Sequence, residues 1–70
     1  MGPREQFAAN LRKERQAAGL SQEALGDLVD LHRTEISLLE RAQRDPRLAT
    51  IVRLSRGLEI PATQLLHGVK

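Results

Sequence analysis

Nine of the eleven cationic side chains in this 70-residue chain are arginine. A guanidinium is planar and permanently charged. Its fork of donors grips a phosphate or the edge of a guanine with two hydrogen bonds at once. The net charge is only +2, but it is unevenly spread. Residues 1–20 carry Arg4, Arg12, Lys13 and Arg15 against Glu5 and Glu14. Residues 21–31 carry Glu23, Asp27 and Asp30 with no base. Arg33, Arg41, Arg44 and Arg47 then outnumber Glu35, Glu40 and Asp45, and Arg53, Arg56 and Lys70 outnumber Glu59. A basic chain with arginine-rich stretches suits a polyanionic partner. Other chemistries fare worse. His32 and Glu35 have the i, i+3 spacing of a metal pair, but zinc needs two more ligands, His67 is the only other histidine and there is no cysteine. No Ser/His/Asp arrangement or glycine-rich phosphate loop occurs, so neither an enzyme nor a cofactor is expected. One Phe and no Trp or Tyr leave no platform for stacking single-stranded bases.

The elements that must carry these arginines are helical. No β-branched alternation occurs, and the apolar residues recur every three or four positions. Five helices are expected. The first runs from about Pro3 to Ala18, with proline in its first turn and Gly19 just past its end. The second runs from about Gln22 to Val29, capped by Ser21. Gly26 inside it costs roughly 1 kcal/mol against alanine, which points to close approach of the next helix. The third runs from about Arg33 to Glu40 with His32 as N-cap, and the link of about three residues before it forces a steep crossing. The fourth spans about Leu48 to Gly57, and the fifth runs from about Pro61 to Gly68 with Leu65 and Leu66 buried. Phe7, Leu11, Leu20, Leu25, Val29, Leu31, Ile36, Leu39, Leu48, Ile51, Leu54, Leu58, Ile60 and Leu65 form the expected core of an all-α, five-helix bundle, one domain over residues 1–70. Arg15 and Glu40 lie at the edges of apolar stripes. No apolar run is long enough for a membrane span, and polar residues follow Met1, so a cytoplasmic protein is expected.

The stretch Leu20-Ser21-Gln22-Glu23-Ala24-Leu25-Gly26, continued by Leu31-His32-Arg33-Thr34-Glu35-Ile36-Ser37-Leu38-Leu39-Glu40-Arg41, resembles the helix-turn-helix of the lambda-repressor/Cro-like (xenobiotic-response-element type) regulators. Arg44-Asp45-Pro46-Arg47-Leu48-Ala49-Thr50-Ile51 resembles that family's loop into helix four, and Gly57-Leu58-Glu59-Ile60-Pro61 its approach to helix five. The resemblance extends from about Phe7 to Leu66. Asp30 stands where the turn often has glycine, Leu28 where helix two often has a charge, His32 where the cap is usually Ser or Thr, and Ala42 where the loop often has glycine.

The resemblance implies a double-stranded DNA operator as partner, with the helix at about 33–40 in the major groove. Its base readers are then Arg33, which suits guanine O6 and N7, Thr34, Ser37, and Leu38 against a thymine methyl. Phosphate contacts are expected from Gln22 at the start of helix two, His32, Arg12, and the loop residues Gln43 and Arg44, the last two partly through main-chain N–H groups. Glu35 is expected to cap its own helix, with acceptance from a cytosine amino group as the alternative. The resemblance also implies a structural ion pair between Arg15 and Glu40.

One recognition helix covers few base pairs, so a homodimer reading an inverted repeat is expected, with Leu58, Ile60, Ala62, Thr63, Leu66 and His67 at its interface. Such a dimer blocks or recruits RNA polymerase in a bacterial or phage system. The small members of the family that the chain resembles include phage Cro-like repressors, restriction–modification controllers and autoregulating antitoxins, and the sequence does not choose among them. The rival is a protein-interaction module using Leu28 and Leu38 as exposed apolar residues.

Overall fold

A computed structural model describes residues 1–70. It is all helical: α1 Pro3–Ala17, α2 Gln22–Val29, α3 Arg33–Glu40, α4 Leu48–Leu58 and α5 Ala62–Leu65. α1 packs on α3 and α5, α2 on α3 and α4, and α4 on α5. Phe7 and Leu11 of α1, Leu25 and Val29 of α2, Ile36 and Leu39 of α3, Ile51 and Leu54 of α4 and Leu65 of α5 meet in one buried cluster.

The connections are short because four helices stop the same way. After α1 the chain reverses through left-handed Gly19 (φ 72°). Leu20 N–H returns to the Arg15 carbonyl at 3.1 Å and Gly19 N–H to Gln16 at 3.0 Å. These paired bonds satisfy carbonyls that the helix end would orphan. α2 ends on Asp30 (φ 59°), α3 on Ala42 (φ 58°) and α4 on Glu59 (φ 57°), each with the following N–H returned into the helix. Of the four reversing residues only Gly19 avoids the Cβ penalty of this conformation.

The α2–α3 corner depends on Gly26. A Cβ there would collide with the Leu31 carbonyl oxygen and lie 3.5 Å from Arg33 N. Glycine lets the link lie directly on α2, and Leu31 N–H donates to the Gly26 carbonyl at 2.8 Å. Two caps fix the corner. Ser21 Oγ accepts from Ala24 N–H at 2.9 Å. His32 Nδ1 accepts from Thr34 N–H at 3.0 Å.

Several expectations need correction. α1 stops at Ala17, a residue early, where its paired turn begins. α4 continues through Gly57 to Leu58, because Gly57 lies inside the helix against Val29 of α2 and the reversal waits for Glu59. α5 is a single turn, with the chain leaving through Gly68 (φ 77°). Leu48 is not core: it opens α4 with 76 % of its surface exposed, while Ile51 closes the core from that end. Leu66 is exposed too, since the single turn of α5 directs only Leu65 inward. Leu20, Leu31, Leu58 and Ile60 are half-buried at the core's edge, and Ala8 and Ser55 join it. Ser55 stays satisfied by donating Oγ–H to the Val52 carbonyl at 2.8 Å.

Candidate nucleic-acid interface

α3 turns Ile36 and Leu39 into the core and buries the Glu40 side chain against Arg15, which leaves Arg33, Thr34, Ser37 and Leu38 toward its outer face. Arg33 and Thr34 are exposed. Ser37 and Leu38 are half-buried, so Leu38 is not the exposed apolar residue expected. After α3 the chain turns back so that Gln43 N–H donates to the Leu38 carbonyl at 2.9 Å. That bond uses the Gln43 main-chain donor expected to meet a phosphate, and leaves only the exposed Gln43 side chain for that contact.

The far end of α3 is held by a buried ion pair. Arg15 donates Nε–H to Glu40 Oε2 at 2.6 Å, Nη2–H to Oε1 at 3.0 Å and Nη1–H to the Leu20 carbonyl at 2.7 Å. The side chains are 11 % and 3 % exposed. The hydrogen bond to Glu40 raises the Arg15 pKa, against an opposing pull from burial. The pair tolerates burial because each remaining polar atom has a partner, and no buried side-chain nitrogen or oxygen is left without one. Gln22, expected on a phosphate, donates Nε2–H to Glu40 Oε1 at 3.2 Å. One amide hydrogen thus braces the pair and the other remains for a ligand.

At the near end, the His32 cap uses Nδ1 as acceptor, which puts the imidazole proton on Nε2, free to donate outward. Glu35 does not cap α3 with its side chain. It accepts from Arg44 Nη1–H at 2.7 Å, so the expected phosphate ligand Arg44 is ion-paired in the free molecule. Arg12 lies exposed on α1, outside the ion pairs. Arg4 donates from Nε and Nη2 to Asp45 at 2.5 and 3.1 Å, tying the start of α1 to the loop after α3. That hydrogen bond holds the Asp45 carboxyl below the usual carboxylate range.

The two flanks of α3 differ in charge. On one, Glu23 and Asp27 of α2 share a shallow cleft with Leu31, His32 and Arg33. On the other, Arg44, Arg47 and Arg53 line a cleft of about 450 Å³ with Glu35, Asp45 and Thr50. Both acids of that second cleft are ion-paired, so Arg47 and Arg53 are its unpaired cations. The expected interface residues at the other end of the bundle are only partly free. Leu58, Ile60 and Ala62 pack against the core, while Thr63, Leu66 and His67 are exposed.

Sequence reasoning missed several contacts, the Arg4–Asp45 pair among them. Glu35 and Arg44 lie nine residues apart across an irregular loop, with no periodic signal to join them. Arg53 Nη1 reaches the Asp30 carbonyl at 3.4 Å. Asn10 of α1 donates Nδ2–H to the Leu65 and His67 carbonyls, both at 2.8 Å, and so docks α5.

A capped helix, a tight glycine-packed corner and a second helix with an exposed first turn form a helix-turn-helix, and the helix-turn-helix family profile matches residues 11–65. The chain belongs to the helix-turn-helix family. It is similar to the control protein C.SmaI of Serratia marcescens, with 38 % identity covering 100 % of this chain and 86 % of that one. The crystal structure of the restriction–modification controller protein C.AhdI from Aeromonas hydrophila superposes with a TM-score of 0.86 at 39 % identity, covering 89 % of this chain and 94 % of that one. The DNA-binding domain of the P22 c2 repressor superposes with a TM-score of 0.83 at 29 % identity, covering 89 % and 82 % respectively. Membership makes this chain a DNA-binding regulator of transcription rather than an enzyme. No helix is long and apolar enough to cross a membrane.

Proposed function

We propose that residues 1–70 act as one DNA-binding domain that reads an inverted-repeat operator as a homodimer and regulates transcription by blocking or recruiting RNA polymerase. The observation that carries this reading is the exposed first turn of α3, anchored at its far end by Arg15–Glu40 and flanked on one side by Arg44, Arg47 and Arg53. Arg33, Thr34, Ser37 and Leu38 meet base edges, with Arg33 suited to guanine O6 and N7. Gln22, His32, Gln43, Arg44 and Arg12 hold phosphates. Thr63, Leu66 and His67, with the half-buried Leu58, Ile60 and Ala62, supply the dimer face. The likeness to the control protein C.SmaI and to the restriction–modification controller protein C.AhdI supports a controller role in the bacterial cytoplasm.

Selection of binding sites from random duplexes, with the wild type and Arg33→Ala at one salt concentration, tests this. The reading expects a palindromic consensus with half-sites ~34–36 Å apart, relaxed at one base pair by the substitution. A non-palindromic or unchanged consensus contradicts it.

A second reading, a protein-interaction module, draws on a groove of about 770 Å³ between α2 and α4 in which Leu28 and Leu48 are exposed. Salt separates the two: phosphate binding weakens steeply as salt rises, and apolar docking does not.

A further inference from the structure

The three ion-paired arginines are used differently. Arg15 and Arg4 each give both Nε and Nη2 to a single carboxylate, so their two-pronged edge is occupied. Arg44 gives only Nη1–H to Glu35 Oε1, at 2.7 Å, and its Nε–Nη2 edge has no partner. Its side chain is 52 % exposed and that of Glu35 is 26 % exposed. The open edge is the part of a guanidinium that takes two oxygens of a phosphate.

Arg44 sits in the irregular stretch between α3 and α4, two residues beyond left-handed Ala42. Its own N–H makes no hydrogen bond within the chain. A long side chain on such a loop loses rotamer freedom when it docks on a ligand, and that loss weakens binding. Glu35 stands on the rigid helix α3, beside Thr34. Its carboxylate fixes the loop arginine to the helix before any ligand arrives. Arg47 and Arg53 line the same cleft, so the place where Arg44 is held is already cationic.

We propose that Glu35 is a positioning residue for DNA binding: it holds the Arg44 guanidinium against α3 with the Nε–Nη2 edge open to a backbone phosphate. This rests on the DNA-binding reading and deepens it. The predicted sign opposes simple electrostatics. A carboxylate beside a polyanion repels it, so on charge alone its removal strengthens binding. Positioning requires that its removal weaken binding, and only while Arg44 is present.

The test is a fluorescence-anisotropy titration of a selected duplex at one salt concentration. It compares wild type, Glu35→Ala, Glu35→Gln, Arg44→Ala and Glu35→Ala/Arg44→Ala, each checked for folding by thermal melting. Glu35→Ala is expected to weaken binding about three- to tenfold, the scale of ordering one long side chain per site. Glu35→Gln weakens it less, because the amide oxygen still accepts from Arg44. In the Arg44→Ala background the Glu35 change weakens nothing. In the free protein, nitrogen-15 relaxation of Arg44 Nε–H shows an ordered group in the wild type and a mobile one in Glu35→Ala. Stronger or unchanged binding for Glu35→Ala overturns the proposal. So does equal weakening with and without Arg44, or a mobile Arg44 in the wild type. A wild type that binds no duplex overturns the DNA-binding reading itself, and the relaxation measurement, which needs no DNA, keeps that failure distinct.

Discussion

Replacing Arg15 by methionine removes three hydrogen bonds and strands a carboxylate. Glu40 is only 3 % exposed, and without Arg15 its one remaining side-chain partner is Gln22 at 3.2 Å. Removing one member of a buried pair costs about 3–5 kcal/mol. A chain of 70 residues has a total stability of roughly 3.5–10 kcal/mol, at about 0.05–0.15 kcal/mol per residue. Arg15→Met therefore removes roughly 30 % or more of the total and lowers the melting temperature by at least about 12 °C, taking about 4 °C per kcal/mol. Glu40→Gln costs less, since the amide oxygen still accepts from Arg15 and the Leu20 carbonyl still takes Nη1–H. The decisive variant is the double one. With no charge left to strand, Glu40→Gln partly rescues Arg15→Met. Urea unfolding at neutral pH, followed by helical circular dichroism with the slope checked for constancy, measures all three. The raised Arg15 pKa gives a contribution complete below the ordinary arginine value and lost only as pH rises through the raised one, so it is constant near neutrality. If the double variant loses the sum of the single losses, to within about 0.5 kcal/mol, the pair is two independent charges and the reasoning fails.

Three other outcomes follow from named contacts. Ala42→Gly stabilises the fold by about 0.5–1 kcal/mol, because relief of about 1–2 kcal/mol of left-handed strain exceeds the backbone entropy of glycine, about 0.5–1 kcal/mol; a lower melting temperature contradicts this. Gly26→Ala destabilises by about 1–3 kcal/mol despite better helix propensity, because the new methyl meets the Leu31 carbonyl, and a neutral or stabilising result shows that the corner can give. The depressed Asp45 carboxyl contributes stability that is present above the ordinary aspartate pKa and lost as pH falls through the lowered one. Asp45→Asn should therefore flatten the acid limb of a stability profile below about pH 4 and leave the neutral region parallel to wild type.

What was legible in the sequence lay along single helices. The stripes Phe7–Leu11 and Leu25–Val29 and the caps at Ser21 and His32 recur at fixed local spacing, so residue types alone assign them. Gly26 was readable as a close approach because a mid-helix glycine without a packing reason is a net loss. Arg15 and Glu40 stood out as charges on apolar stripes, and the family resemblance paired them. The chain's side-chain contacts across loops were not legible. Glu35–Arg44 and Arg4–Asp45 depend on how the stretch from Ala42 to Arg47 folds, and that path is set by the left-handed turn at Ala42. Exposure at helix ends was equally opaque. Leu48 has the right spacing for the core stripe of α4, yet it opens the helix and lies outside the packed layer. Leu66 follows the last inward residue of a helix that is only one turn long.

Dimethyl sulfate protection on a selected duplex tests the central claim most directly, since the reagent methylates guanine N7 in the major groove and adenine N3 in the minor groove. With α3 in the major groove and Arg33 on a guanine, wild-type protein shields one guanine N7 in each half-site. Arg33→Ala, bound to the same occupancy, leaves that N7 reactive. Protection confined to adenine N3, or a guanine shielded equally by both proteins, would contradict the placement of α3 and the role of Arg33.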